Sequence, residues 1–155
     1  MGIEIERKFL VHAERWKALK KPTGKYLRQG YLSTDPQRTI RVRIAGNKGF
    51  LNIKGITTGA TRQEFEYEIP EADAAQLLQN MAITRLSKIR YLISHEGKQW
   101  EVDEFLDENA GLIVAEIELN SETEQFLLPD WVAEEVTDDA RYYNSNLCLR
   151  PFTSW

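Results

Sequence analysis

Stretch after stretch of this chain alternates apolar and ionisable side chains at a spacing of two, the period at which a β-strand sends successive residues to opposite faces. Ile3, Ile5 and Phe9 share one side of the first such stretch, and Glu4, Glu6 and Lys8 share the other. Arg41 and Arg43 alternate with Ile40, Val42 and Ile44, and Lys54 lies among Leu51 and Ile53. Glu64, Glu66 and Glu68 alternate with Phe65, Tyr67 and Ile69, and Lys88 and Arg90 with Ile89, Tyr91 and Ile93. Glu101 and Asp103 flank Val102, and Glu116 and Glu118 flank Ile117. In one strand this is what any sheet with a wet face shows. Its return in strand after strand, with both signs of charge, is the constraint that the fold must satisfy.

The pattern predicts eight strands, at residues 3–10, 25–33, 38–46, 49–57, 62–69, 84–95, 98–106 and 112–120. Ala45-Gly46-Asn47-Lys48-Gly49 and His95-Glu96-Gly97-Lys98 read as hairpin turns, so neighbouring strands run antiparallel. Helices are expected at Ala13–Leu19, at Glu71–Asn80 behind Pro70, and at Asp138–Leu149, with Asp138 or Asp139 as a cap. Ser121-Glu122-Thr123-Glu124 has capping-box spacing and predicts a short helix near Phe126. No Gly-, Ser- or Pro-rich linker interrupts the 155 residues, which points to one domain spanning 1–155. The fold class expected is an α+β protein dominated by β-structure: an eight-stranded antiparallel barrel with flanking helices.

A barrel has two faces to assign. With the apolar face inward, the charges form an ordinary solvated surface. With the charged face inward, the apolar exterior needs cover from the helices, and a homodimer is one way to cover the rest. An inward charged face also needs a ligand, because ions buried without partners are costly. A polyphosphate with divalent metal meets that need. Arg41, Arg43, Lys54, Lys88 and Arg90 suit phosphate oxygens. Glu4, Glu6, Asp103, Glu116 and Glu118 suit hard cations such as Mg²⁺ or Mn²⁺. The net charge of -4 and the pI near 5.3 argue against a nucleic-acid binder, whose affinity rests on excess Lys and Arg. Cys148 is the only cysteine, which excludes a disulfide framework and a thiolate metal site. The charged start of the chain is unlike a signal peptide and no stretch is long enough to span a bilayer as a helix, so the expected location is cytoplasmic.

The ordered set Glu4-x-Glu6-x-Lys8, Arg41-x-Arg43, Lys54, Glu64-x-Glu66, Lys88-x-Arg90, Asp103 and Glu116-x-Glu118 resembles the CYTH family, the triphosphate tunnel metalloenzymes. The resemblance extends to Gln29-Gly30-Tyr31-Leu32, Glu135-Val136-Thr137 and Arg141-Tyr142-Tyr143-Asn144, where it is to the small bacterial inorganic tripolyphosphatases. It implies a tunnel with inward charges. It further implies metal-dependent hydrolysis of inorganic tripolyphosphate, with nucleoside triphosphates as further substrates, and two Mg²⁺ or Mn²⁺ ions per site. Carried over residue by residue, Lys8, Arg41, Arg43, Lys54, Lys88 and Arg90 hold substrate, and Glu4, Glu6, Asp103, Glu116 and Glu118 hold metal. Glu64 and Glu66 match a pair that contributes to the second metal or orients the basic residues. Lys8 and Tyr31 match residues that position or activate the attacking water.

Adenylate cyclases of this family carry a His-Phe pair shortly before the first glutamate, where this chain has Met1-Gly2-Ile3, which makes cyclisation of ATP the runner-up activity. Thiamine triphosphate needs an apolar or aromatic subsite, for which Trp16, Trp100, Trp131 and Trp155 are the available large rings. A module that binds polyphosphate or nucleotide without hydrolysing it keeps the same charges. His12 and His95 have no metal-ligand spacing and read as surface or structural residues. Arg141 reads either as reaching the tunnel mouth or as one half of a local ion pair.

Overall fold

The computed structural model describes residues 2–155. Strands β1 (Ile3–Val11), β2 (Lys25–Ser33), β3 (Arg38–Ala45), β4 (Lys48–Gly55), β5 (Thr61–Ile69), β6 (Thr84–His95), β7 (Lys98–Phe105) and β8 (Ile113–Glu118) pair in the order β5-β4-β3-β2-β6-β7-β8-β1. Antiparallel pairing of β1 with β5 at Ile3, Glu4 and Ile5 closes the ring into an eight-stranded barrel. The β3–β4 hairpin turns on Gly46 at φ +62°, and the β6–β7 hairpin on Glu96 and Gly97 at φ +49° and +77°. Both are the left-handed corners that two-residue hairpins demand.

The seam has a feature the alternation does not announce. After Ile5, β1 leaves β5, and a short ninth strand, β9 (Val132–Glu135), pairs with Phe9 and Val11 instead. Between these two pairings the Lys8 amide donates to Thr137 Oγ1 at 3.0 Å and its carbonyl accepts from Val136 N at 2.8 Å. β9 breaks no period-two rule; it is too short to stand out, and Trp131 and Val132 read equally well as loop.

The apolar face is outside, and the protein's own segments cover part of it, leaving Ile3, Tyr26, Phe65 and Tyr67 exposed. Helix α1 (Ala13–Ala18) seats Trp16 beside Phe9, Trp100, Val102, Ala115, Ile117, Trp131 and Val132. Trp16, Trp100 and Trp131 meet edge to face at centroid distances of 5.3–5.9 Å, the preferred aromatic geometry. Helix α2 (Glu71–Asn80) lays Ala74 and Leu78 on Val42 and Ile44 of β3. Gly30 permits this approach: a Cβ there would stand 2.8 Å from Leu78 Cδ2 and 2.9 Å from the Thr84 carbonyl oxygen.

Two helical expectations need correction. The final helix, α3, covers only Asn144–Leu149, preceded by a 3-10 turn at Ala140–Tyr142 that Asp139 caps by accepting from the Arg141 amide. Tyr143 lies between them in extended backbone (φ -68°, ψ 135°), which breaks the predicted Asp138–Leu149 helix. No helix forms near Phe126. Glu124 instead accepts from the Asn120 amide at 2.6 Å, closing a turn, and Phe126 packs on Phe9 and Trp100. Nor does α3 cover the wall. It stops one end of the barrel, where Leu147, fully buried, and Tyr142 pack against the inward Leu86, Phe105, Leu112 and Val114. Among the described residues no helix is long and apolar enough to cross a membrane.

Candidate functional site

Inward positions of the strands converge on a cavity of about 230 Å³. The barrel brings together around it Glu4, Glu6, Lys8, Tyr31, Arg41, Arg43, Lys54, Glu64, Glu66, Lys88, Arg90, Glu116 and Glu118 from the sequence-derived set. Asp103 is behind this lining, 1% exposed and clamped by cations.

Strand order sorts the charges. Lys54 on β4, Arg41 and Arg43 on β3, and Lys88 and Arg90 on β6 form a basic arc, with Tyr31 and Gln29 on the intervening β2. Glu101 and Asp103 on β7, Glu116 and Glu118 on β8, Glu4 and Glu6 on β1, and Glu64 and Glu66 on β5 form the opposing acidic arc. Lys8 is a cation set inside the acidic arc. Its ammonium donates to Glu6 at 2.8 Å and to Glu116 at 2.5 Å. Burial works against that charge, but Glu116 and Glu6 outweigh it and hold the lysine pKa well above its usual range. Glu6 is the counterpart: burial would raise its pKa, yet Lys8 draws it down to about 2.

Where the arcs meet, cations and carboxylates pair. Lys54 donates to both oxygens of Glu4 at 3.0 and 3.2 Å and lies 3.4 Å from Glu64. Arg90 grips Asp103 with two bonds of 2.8 and 2.9 Å and reaches Glu101 at 3.0 Å. Lys88 approaches Asp103 at 2.8 Å. Burial, reinforced by Arg90 and Arg43 and only partly offset by Asp103, pulls the Lys88 pKa down to about 7.

Away from those junctions both arcs carry unmatched charge. Arg41 is 8% exposed, and among the described residues its Nε has no hydrogen-bond partner and its nearest ion-pair carboxylate, Glu66, is 3.9 Å away. Arg43 Nε donates at 3.1 Å to the neutral Gln29 amide; burial and the neighbouring Arg41 and Arg90 lower its pKa to about 9, so it stays charged at neutral pH. Glu118, opposite, has no ion-pair partner among the described residues. Burial and then the carboxylates of Glu4, Glu64, Glu101 and Glu6 push its pKa up. Tyr31 is buried, which raises the pKa of its phenol and keeps it a donor at neutral pH.

Among the described residues no three carboxylate, His or Cys groups already form a cage, because basic side chains hold most of the carboxylates. The donors are nevertheless all oxygen, the chemistry that Mg²⁺ and Mn²⁺ prefer, and the surplus at Glu118 is negative. The residues fit a hard divalent cation on the acidic arc.

Several lining residues lay outside the sequence-derived set. Arg62 faces Glu4 at 3.6 Å, and Asn52 donates to Glu64 and Glu66 at 3.1 and 3.0 Å. Arg62, Asn52 and Glu101 were findable, each lying two residues from a chosen member of the same inward row. Tyr143 and Asn144 come from the C-terminal segment, where no alternation marks them. Arg141 does not reach the cavity; it is exposed and pairs with Asp139 at 2.6 Å. The four tryptophans also lie elsewhere, three in the outer core and Trp155 beside Tyr142 and Phe152. His12 is exposed at the start of α1 and His95 ends β6. The Cys148 thiol, raised to about 11 by burial, is no nucleophile.

A closed barrel with one internal wall basic and the other acidic defines a class of protein that takes a compact polyanion together with cations. The chain belongs to the CYTH family, whose domain matches residues 2–145. Over 156 residues it is 47% identical to an inorganic triphosphatase of Acetivibrio thermocellus, covering 100% of this chain and 99% of that relative. An inorganic triphosphatase of Nitrosomonas europaea is 36% identical over 154 residues, with 94% and 97% covered. A crystal structure of an inorganic triphosphatase superposes with a TM-score of 0.66 at 35% identity, covering 94% of this chain and 97% of that one. Membership of this family of tunnel metalloenzymes implies a divalent-metal requirement.

Proposed function

We propose that the chain hydrolyses inorganic tripolyphosphate to phosphate and pyrophosphate in the barrel cavity, with Mg²⁺ or Mn²⁺, two ions per site, and acts in the cytoplasm as one domain. The observation that carries the reading is the sorting of charge: an unsatisfied basic arc faces an unsatisfied acidic arc across a cavity of about 230 Å³. Lys54, Arg41, Arg43, Lys88 and Arg90 bind phosphate oxygens, the arginines in bidentate fashion, with Lys8 alongside. Arg41 and Arg43 bind first, since Arg41 gives up only a long 3.9 Å contact with Glu66 and Arg43 only a neutral amide.

Glu4, Glu6, Glu116 and Glu118 would hold metal, with Glu64 and Glu66 contributing or keeping Lys54 and Arg41 in place. Asp103 joins them only by releasing Arg90 or Lys88; in the structure it serves as the bracket for both. When bound, the metal supplies charge neutralisation between phosphate and carboxylate and makes water more acidic. The chain's part is positioning and electrostatic stabilisation, because phosphoryl transfer asks little covalent work of the protein. Lys8 stays protonated between Glu6 and Glu116, which suits it to orient water and stabilise charge rather than to remove a proton. Tyr31, also protonated, offers a second donor beside the Arg41 position, its register partner across β2 and β3.

The preference for an inorganic substrate rests on what lines the cavity. Apart from Tyr31 and Tyr143 the lining is charged or polar, with no tryptophan to stack a base or a thiamine ring. The deciding experiment is a panel of tripolyphosphate, ATP, thiamine triphosphate and pyrophosphate with each metal, measuring phosphate release and cyclic AMP together. Fastest release from tripolyphosphate is expected. Cyclic AMP from ATP would replace hydrolysis by cyclisation, and binding without metal-stimulated release would leave only a binding module.

A further inference from the structure

Asn144, the first residue of α3, bonds the basic arc from the stopper. Its Oδ1 accepts from Lys88 Nζ at 2.8 Å and from Gln29 Nε2 at 3.3 Å. Gln29 in turn presents its Oε1 to Arg43 Nε at 3.1 Å. Lys88 and Gln29 are each 1% exposed, so their partners within the protein set their positions. Asn144 turns its oxygen to Lys88, whose ammonium form only donates, and the same oxygen takes the Gln29 Nε2 donor, which leaves the Gln29 oxygen as the acceptor for Arg43.

We propose that Asn144 is a positioning residue for the triphosphate, setting Lys88 directly and Arg43 through Gln29. A neutral acceptor suits this task. It holds an ammonium in place without neutralising the charge that phosphate must meet, whereas Asp103 on the same lysine does neutralise it. The inference rests on the reading of Lys88 and Arg43 as phosphate ligands.

The test is a mutant cycle of Asn144→Leu, close in size but without an acceptor, with Lys88→Met, measuring KM and kcat for tripolyphosphate and the melting temperature. Asn144→Ala repeats the measurement should the leucine disturb folding. Asn144→Leu is expected to raise KM about tenfold while kcat changes less than about threefold, since a misplaced cation weakens binding. In the Lys88→Met background the same change is expected to add less than about twofold, because contacting residues do not act independently. A full further tenfold in that background means that Asn144 acts through packing of the stopper and overturns the proposal. So does an unchanged KM in Asn144→Leu with Lys88→Met impaired. An unchanged KM in Lys88→Met itself sinks the reading of Lys88 as a phosphate ligand, and the inference with it.

Discussion

The two arcs of the tunnel are both charged, yet they resolve their charge differently. The basic arc leaves its central guanidiniums short of partners: Arg41 Nε bonds nothing and Arg43 bonds a neutral amide. The acidic arc recruits a resident cation, Lys8, between Glu6 and Glu116, and its surplus stands at Glu118. Burying a guanidinium short of partners costs stability, and an unpaired Glu118 among other carboxylates adds a smaller cost, so neither arrangement is explained by stability. On the proposed reading, each arc is held in the form its ligand needs, anion on one side and cation on the other, as expected of sites that trade stability for function.

The largest effect that would break this comparison is loss of catalysis without loss of fold. Arg41→Met is expected to lower kcat/KM for tripolyphosphate by at least about a hundredfold, the scale of deleting one charge-stabilising donor. Its melting temperature should hold or rise, because a buried guanidinium with an unpartnered Nε and only a long contact to Glu66 is removed. A fall of several degrees would mean that Arg41 is part of the structural framework, and the basic arc would not be an idle binding surface.

Each inward row was legible from period two, and Arg41-x-Arg43 and Glu116-x-Glu118 needed nothing more. The arcs were not, because they depend on β2 lying between β3 and β6 and on β1 closing against β5, pairings between strands far apart in the chain. The short β9 and the stopper were hidden for a related reason. Leu86, Phe105 and Val114 occupy the same inward faces as Lys88, Asp103 and Glu116, so one strand face is charged at mid-barrel and apolar at the plugged end. Only Leu147 and Tyr142, arriving from the C-terminus, show why.

A second prediction separates the arcs by ligand. With metal chelated, tripolyphosphate at about a hundred times its Kd is expected to stabilise the protein by about 2.7 kcal/mol, since the basic arc needs no metal to attract an anion. A matching rise in melting temperature should appear with Mg²⁺ or Mn²⁺ alone. Arg41→Met should lose most of the first response and keep the second. Loss of both responses in that variant would mean that the arcs fill as one unit.

Glu118→Gln probes the other side. It removes the carboxylate without an ion-pair partner, so the metal concentration for half-maximal activity is expected to rise roughly tenfold, the scale set by losing one charged oxygen donor. Binding of tripolyphosphate in the chelated protein should stay within about twofold of wild type, measurable by calorimetry. An unchanged metal requirement would remove Glu118 from the metal set and leave Glu4, Glu6 and Glu116 to carry it.

The smallest effect follows from the sign of the Glu118 shift. Burial and the surrounding carboxylates raise its pKa in the folded protein, so folding favours the protonated form. Its contribution to stability is therefore present below the unfolded carboxyl pKa and is lost as pH rises through the raised folded value. At neutral pH without metal the carboxylate is a burden of at most about 1 kcal/mol, since this side chain is partly open to solvent. Metal-free Glu118→Gln should melt slightly above wild type near pH 7 to 8, with the gap closing towards about pH 4. Saturating divalent metal should invert that order, because only the wild type gains a ligand. If the order holds unchanged in metal, the surplus negative charge of the acidic arc is not what the cation answers.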